Sequence, residues 1–219
     1  MELKADEHLA MILPIPIAQP AREDMVQFVS LEDYPNVFAG LRRAFPQPQN
    51  LSLGRSRGAA SSPARLKVVE VGSFSASFVP AIRDFQRLDP QFRLPDGVWE
   101  KLGGYAAYGF AVFKLKQGHA RIHPMAFIYP TATPDRLFFP TVHIHDGVVH
   151  RRAHFDHALY CQTGGFGGRN LTAWEESAGP ASQTINTRSA KNLILPEHHL
   201  YRRNLRGELD NEDITLRLA

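Results

Sequence analysis

The stretch GFAVFKLKQGHARIHPMAFIY, residues 109–129, decides the fold class. It carries two runs rich in β-branched and aromatic residues, 109–116 and 121–129, with a short link at Gln117–Ala120. A link of that length joins antiparallel strands, because a parallel crossover needs about a dozen residues or more. Further short runs follow at 136–139, 142–145, 148–150 and 155–160, again with brief connections. The expectation is an α+β fold: a mainly antiparallel β-sheet, arranged as a meander, with a few short helices packed on it.

Toward the N-terminus, residues 66–79 supply two more strand-like runs. Phe74, Ala76 and Phe78 alternate there with Ser73, Ser75 and Ser77, a period of two that commits one face to a core. Pro80 opens a short helix with Ile82, Phe85 and Leu88 on one side, and Asp96 caps a further turn holding Val98, Trp99 and Leu102. Val37, Phe38, Leu41 and Phe45 recur at helical spacing within 34–45; Pro35 suits the first turn and Pro46 ends the helix. Residues 25–29 read as a short strand. Residues 9–17 read as an edge strand, since Pro14 and Pro16 withdraw their donors on the same side.

Toward the C-terminus, Gly164, Gly165, Gly167 and Gly168 form a flexible flap, and Thr172 with Glu175 signals a capping box for a helix around Trp174. Residues 193–218 alternate turns with short strands, including 214–218. No internal repeat is visible.

The chain has 219 residues, 43% apolar and 21% charged, which fits one globular domain spanning 1–219 and excludes disorder, collagen and coiled coil. Residues 47–63, rich in Ser, Gly, Pro and Arg, read as a mobile surface loop and a candidate boundary between a small N-terminal unit and the main body. Arg55 and Arg57 within it read as solvated. The formal charge of +3 is small, and the pairs Arg42–Arg43, Arg151–Arg152 and Arg202–Arg203 are scattered, so a nucleic-acid partner is not expected. A single cysteine allows no internal disulfide and points to a reducing, cytoplasmic setting. The longest apolar run, 9–17, is short of the roughly 20 residues a membrane helix needs, and the first residues lack a signal-peptide pattern, so no membrane association is expected.

The sharpest chemical feature is TVHIHDGVVHRRAHFDH, residues 141–157. Asp146-Gly147 between two β-branched runs is a strong hairpin signal, and a two-residue turn sets His143 opposite His150. His143, His145 and His150 then project from one side of the ribbon, with opposed β-carbons about 4.5–5.5 Å apart. Three neutral imidazoles with an open fourth position make the ligand set of a catalytic zinc. Iron more often takes two histidines and a carboxylate. Asp156 and His157 stand by as outer-shell partners or general base. His119, Arg121 and His123 alternate on the preceding strand pair and extend that face if the strands are neighbours; His198 and His199 read as surface residues.

Cys161 precedes the glycine-rich loop, and a thiol nucleophile is conceivable there, but a lone cysteine ending a strand reads first as a small buried hydrophobe. Two functions therefore stand side by side. One is a divalent-metal protein or metal-dependent enzyme using zinc or iron on an unspecified small molecule. The other is a non-catalytic interaction or assembly domain whose Phe138 and Phe139 meet a protein partner, or a second copy in a homo-oligomer. Elemental analysis separates them, as does concentration-dependent association.

Overall fold

The computed structural model describes residues 10–46, 68–88, 103–115, 123–144, 148–164 and 171–218. The 47–63 loop, the turn expected at Val98–Leu102, His119, Arg121, His145 with Asp146-Gly147, and most of the glycine cluster lie outside them. The described secondary structure is mostly antiparallel β-sheet with few helices. Among the described residues no helix is long and apolar enough to cross a membrane. The chain divides into two compact units, each built from separated stretches of sequence.

The first unit holds strands β1 (Ala10–Ile15), β2 (Gln27–Ser30), β3 (Val68–Val71), β4 (Phe74–Val79), β5 (Gly109–Leu115) and β6 (Met125–Ile128). Four of them form a sheet in the order β1-β5-β4-β3, and β2 pairs with β6. Proline-bearing β1 stands at the end of its sheet, as the missing donors require. The strands of this sheet pair antiparallel but out of chain order.

Both faces of β4 are covered, so Ser77 and Val79 are as buried as Ala76 and Phe78. On one face, Ala76, Ala111 and Phe113 pack beneath Phe28 and Phe127 of the β2–β6 ribbon, with Phe28 edge-on to Phe113 at 5.5 Å. On the other, Phe110 meets Phe85 of a 3-10 turn at Ile82–Arg87, ring centroids 5.0 Å apart. Such an edge-to-face pair adds about 0.5–1.5 kcal/mol beyond area burial. Gly109 permits a close approach here, since a Cβ on it would fall 2.6 Å from the Phe78 ring.

The second unit holds α1 (Val37–Arg43) and strands β7 (Arg136–Phe139), β8 (Arg152–Cys161), β9 (Glu175–Pro180), β10 (His199–Asp210) and β11 (Ile214–Arg217). The strands form a sheet β8-β10-β9 and a ribbon β7–β11, all antiparallel. Helix α1 buries Val37 and Leu41, and Leu41, Ala44 and Phe45 share a core with Ala181, Ile185, Ala190 and Leu200. Fully burying a Leu or Phe of this kind contributes about 1.5–3 kcal/mol.

Two local expectations fail in this unit. The helix around Trp174 is absent: Glu175 begins β9, because β10 offers it a ladder and the Thr172–Glu175 capping signal has no apolar helical face behind it. Residues 141–144 and 148–150, expected to flank a hairpin, are not strand in the described structure. The amides of 141–143 and the carbonyls of His143 and His150 are satisfied by side chains instead.

Candidate functional site

Three residues joining β10 to β11, Asn211 to Asp213, dock the 141–143 segment. Oδ1 of Asp213 accepts from the Thr141 and Val142 amides at 2.8 and 3.1 Å, and the Thr141 hydroxyl donates to the Glu212 carbonyl at 2.7 Å. The His143 amide donates to Oδ1 of Asn211 at 2.7 Å, while the Asn211 side-chain amide donates to the carbonyls of His143 and His150 at 2.9 and 3.0 Å. Buried backbone groups must find partners, and one asparagine here serves both ends of the 143–150 segment.

This docking lays the His143 ring over β8. It stacks on Phe155 with centroids 4.5 Å apart and planes 24° apart, and lies 4.7 Å from the His157 ring at 46°. Phe155, only 2% exposed, is the floor; His157 stands two residues along the same strand face, 5.9 Å from Phe155. Leu205 of β10, opposite His157, is buried and closes the side of the group.

The structure thus joins His143 to His157, two of the residues singled out by the sequence. His150 is exposed at its residue surface, held through its carbonyl, and His145 lies outside the described residues. Asp156 belongs to the opposite face of β8, where it is 82% exposed and 3.7 Å from Arg206. His154 shares that opposite face and pairs with Glu208 at 3.2 Å. Among the described residues, no three His, Cys, Asp or Glu side chains are grouped to hold one ion.

The other singled-out histidines have different employment. His123 is buried and its Nε2 accepts from the Ser73 amide at 2.8 Å, with Nδ1 at 2.7 Å from the Pro124 carbonyl. His199, read as a surface residue, is half-buried, with Nδ1 2.9 Å from the Ser177 carbonyl and 3.2 Å from Glu176. Burial pushes the Cys161 thiol up to about 12, so it is held as a neutral group rather than as a nucleophile. Phe139 packs on Trp174 at 5.2 Å. Sequence reasoning missed Asn211 and Asp213, whose partners lie about 70 residues earlier.

No family model matches the chain, and no curated protein matches it. Among solved structures the chain is similar to a mutated baculovirus P35 after caspase cleavage, at 11% identity, with 98% of this chain and 88% of that chain covered and a TM-score of 0.48.

Proposed function

We propose that this chain binds a divalent transition-metal ion, zinc or iron, through the imidazoles of His143 and His157, with His150 as a further ligand. The observation that supports this is the 4.7 Å separation of two imidazole rings reaching one point from different parts of the chain. Neutral imidazole nitrogens bind zinc at about 2.0–2.1 Å, so neighbouring rings can close on one ion with small side-chain rotations. Phe155 beneath them excludes water from one side, which strengthens the bond to a charged ion. An ion held by two or three imidazoles keeps open positions, where it polarises a bound water or a substrate oxygen. Asp156, turned to the other face of β8, is left out of the proposed ligand set.

Tag-free protein is tested by elemental analysis and by competition titration with zinc and ferrous iron. The reading expects near-stoichiometric uptake that falls at least tenfold in His143→Ala and in His157→Ala, while His154→Ala, across the strand, retains it. Equal uptake in all three variants, or none in the parent protein, overturns it.

The interaction-domain reading has its own support in Phe38, 50% exposed in the first turn of α1 while its neighbour Val37 is buried. It expects concentration-dependent self-association or a recovered partner, with either lost in Phe38→Ser.

A further inference from the structure

In the first unit, the segment Gln19–Asp24 and the turn Pro80–Arg87 wall a cleft of about 580 Å³. That is within the roughly 300–1,000 Å³ of small-molecule sites. Its charges are balanced in number but not in pairing. Arg22 is paired with Asp24 at 3.1 Å. Arg87 spans the cleft, 2.6 Å from Glu23 on one wall and 3.6 Å from Asp84 on its own.

One group is left over and a second is only loosely held. Arg83 lines the cleft with no ion pair or hydrogen bond to any described residue. The Asp84 side chain is 21% exposed, and among the described residues its ion pair is with a guanidinium already engaged by Glu23, at a distance well beyond the roughly 2.7–2.9 Å of a good charge-assisted bond. A cation without an anion among the described residues, Arg83, and an anion that shares its guanidinium with Glu23, Asp84, therefore sit on consecutive residues of one turn. Gln19, its side chain bonded to Ala107 and Ala21, and the small apolar residues Pro20, Ala21, Pro80 and Ala81 form the rest of the wall and leave room for a side chain.

We infer that this cleft is a binding site for a zwitterionic α-amino acid, its carboxylate on Arg83 and its ammonium on Asp84. A simple anion such as phosphate meets Asp84 as a like charge, and a simple cation meets Arg83 in the same way; a ligand carrying both signs a few ångströms apart satisfies each. Planar, two-pronged carboxylate recognition is what an arginine does best.

The test is calorimetric titration of the full chain with each proteinogenic amino acid at millimolar concentration, with acetate and methylammonium as half-ligands. At least one amino acid is expected to bind saturably and tenfold or more tighter than either half-ligand. Arg83→Gln and Asp84→Asn are each expected to weaken it at least tenfold, with an unchanged backbone NMR fingerprint away from the cleft; Arg136→Gln, in the second unit and paired with Asp135, leaves it intact. Absence of saturable binding by any amino acid overturns the inference. So does acetate binding as tightly as the best amino acid, which is the behaviour of a plain anion site, or undiminished binding in both variants.

Discussion

The backbone of His143 and the side chain of Asn211 exchange two hydrogen bonds, N–H to Oδ1 at 2.7 Å and Nδ2–H to the carbonyl at 2.9 Å. That reciprocal pair has the pattern of one rung in an antiparallel ladder, made by a side-chain amide in place of a strand. It fixes where the His143 ring falls on Phe155.

Replacing Asn211 by Ala removes both bonds and the third, to the His150 carbonyl. A loss of about 1–3 kcal/mol in unfolding free energy is expected, the cost of leaving part-buried backbone groups unpaired. Hydrogen exchange distinguishes local from global loss: the His143 amide should exchange much faster while amides inside β10 stay protected. Unchanged His143 exchange would contradict the clamp. Asn211→Asp keeps the acceptor and loses the donors, so it should protect the His143 amide while loosening the 150 end.

His123 is expected to carry a ring proton on Nδ1 and none on Nε2. Nε2 accepts the Ser73 amide at 2.8 Å, so the ring proton must sit on Nδ1, facing the Pro124 carbonyl at 2.7 Å. Long-range nitrogen-proton correlation spectra report this tautomer directly, and an Nε2-protonated ring would refute it. His123→Ala should cost about 2–4 kcal/mol, combining an orphaned buried amide with the cavity left beside Phe74.

Ser77 presents the opposite case. It is 5% exposed, and its hydroxyl has no hydrogen-bond partner in the described structure. A buried hydroxyl without a partner is a desolvation cost with no return, so Ser77→Ala should raise unfolding free energy by about 1 kcal/mol. Denaturant midpoints at constant slope measure it; a fall of the midpoint would mean the hydroxyl is satisfied.

The guanidinium of Arg202 is one of the few charges that carries core energy. Its side chain is 11% exposed, stands over the Phe45 ring at 4.5 Å and donates through Nε to Glu175 at 3.1 Å. Lysine keeps the charge but neither the fork nor the flat stacking surface. Arg202→Lys is therefore expected to lose about 1–2 kcal/mol, with fast exchange appearing in the β9–β10 ladder. Stability equal to the parent protein would show that the stack contributes nothing beyond charge.

What the sequence makes legible is what local periodicity encodes. Helix α1 follows from Val37 and Leu41 one turn apart, β4 from its alternation, and the edge position of β1 from Pro14. The longest strand, β10, escapes because HLYRRNLRGELD buries Leu200 and Leu205, five residues apart and so on opposite faces. Alternation is faint because Arg203 and Gly207 interrupt Tyr201, Leu205 and Leu209 on one face, while Leu200 stands among polar residues on the other. The meeting of His143 with His157 escapes for a different reason: turn chemistry at Asp146-Gly147 points to a local pairing with His150, whereas the described flanks are held by Asn211 and Asp213. A polar residue in a polar connection gives no sign of which distant amide it will cap.

Cys161 supplies the pH-dependent prediction. Burial in the β8–β10 sheet raises its thiol from about 9 to about 12. At pH 8 only about one molecule in 10,000 then carries the thiolate, the form that reacts. Alkylation by iodoacetamide at pH 8 should be slower by orders of magnitude in the folded chain than in urea, and should quicken as the pH climbs toward the raised value. The sign for stability follows from the same shift. The folded state favours the neutral thiol, so the contribution is fully present below pH 9 and is lost as pH rises toward 12. Cys161→Ala should remove that alkaline loss; labelling of the folded chain as fast as in urea would show that the thiol is open to solvent and the burial argument fails.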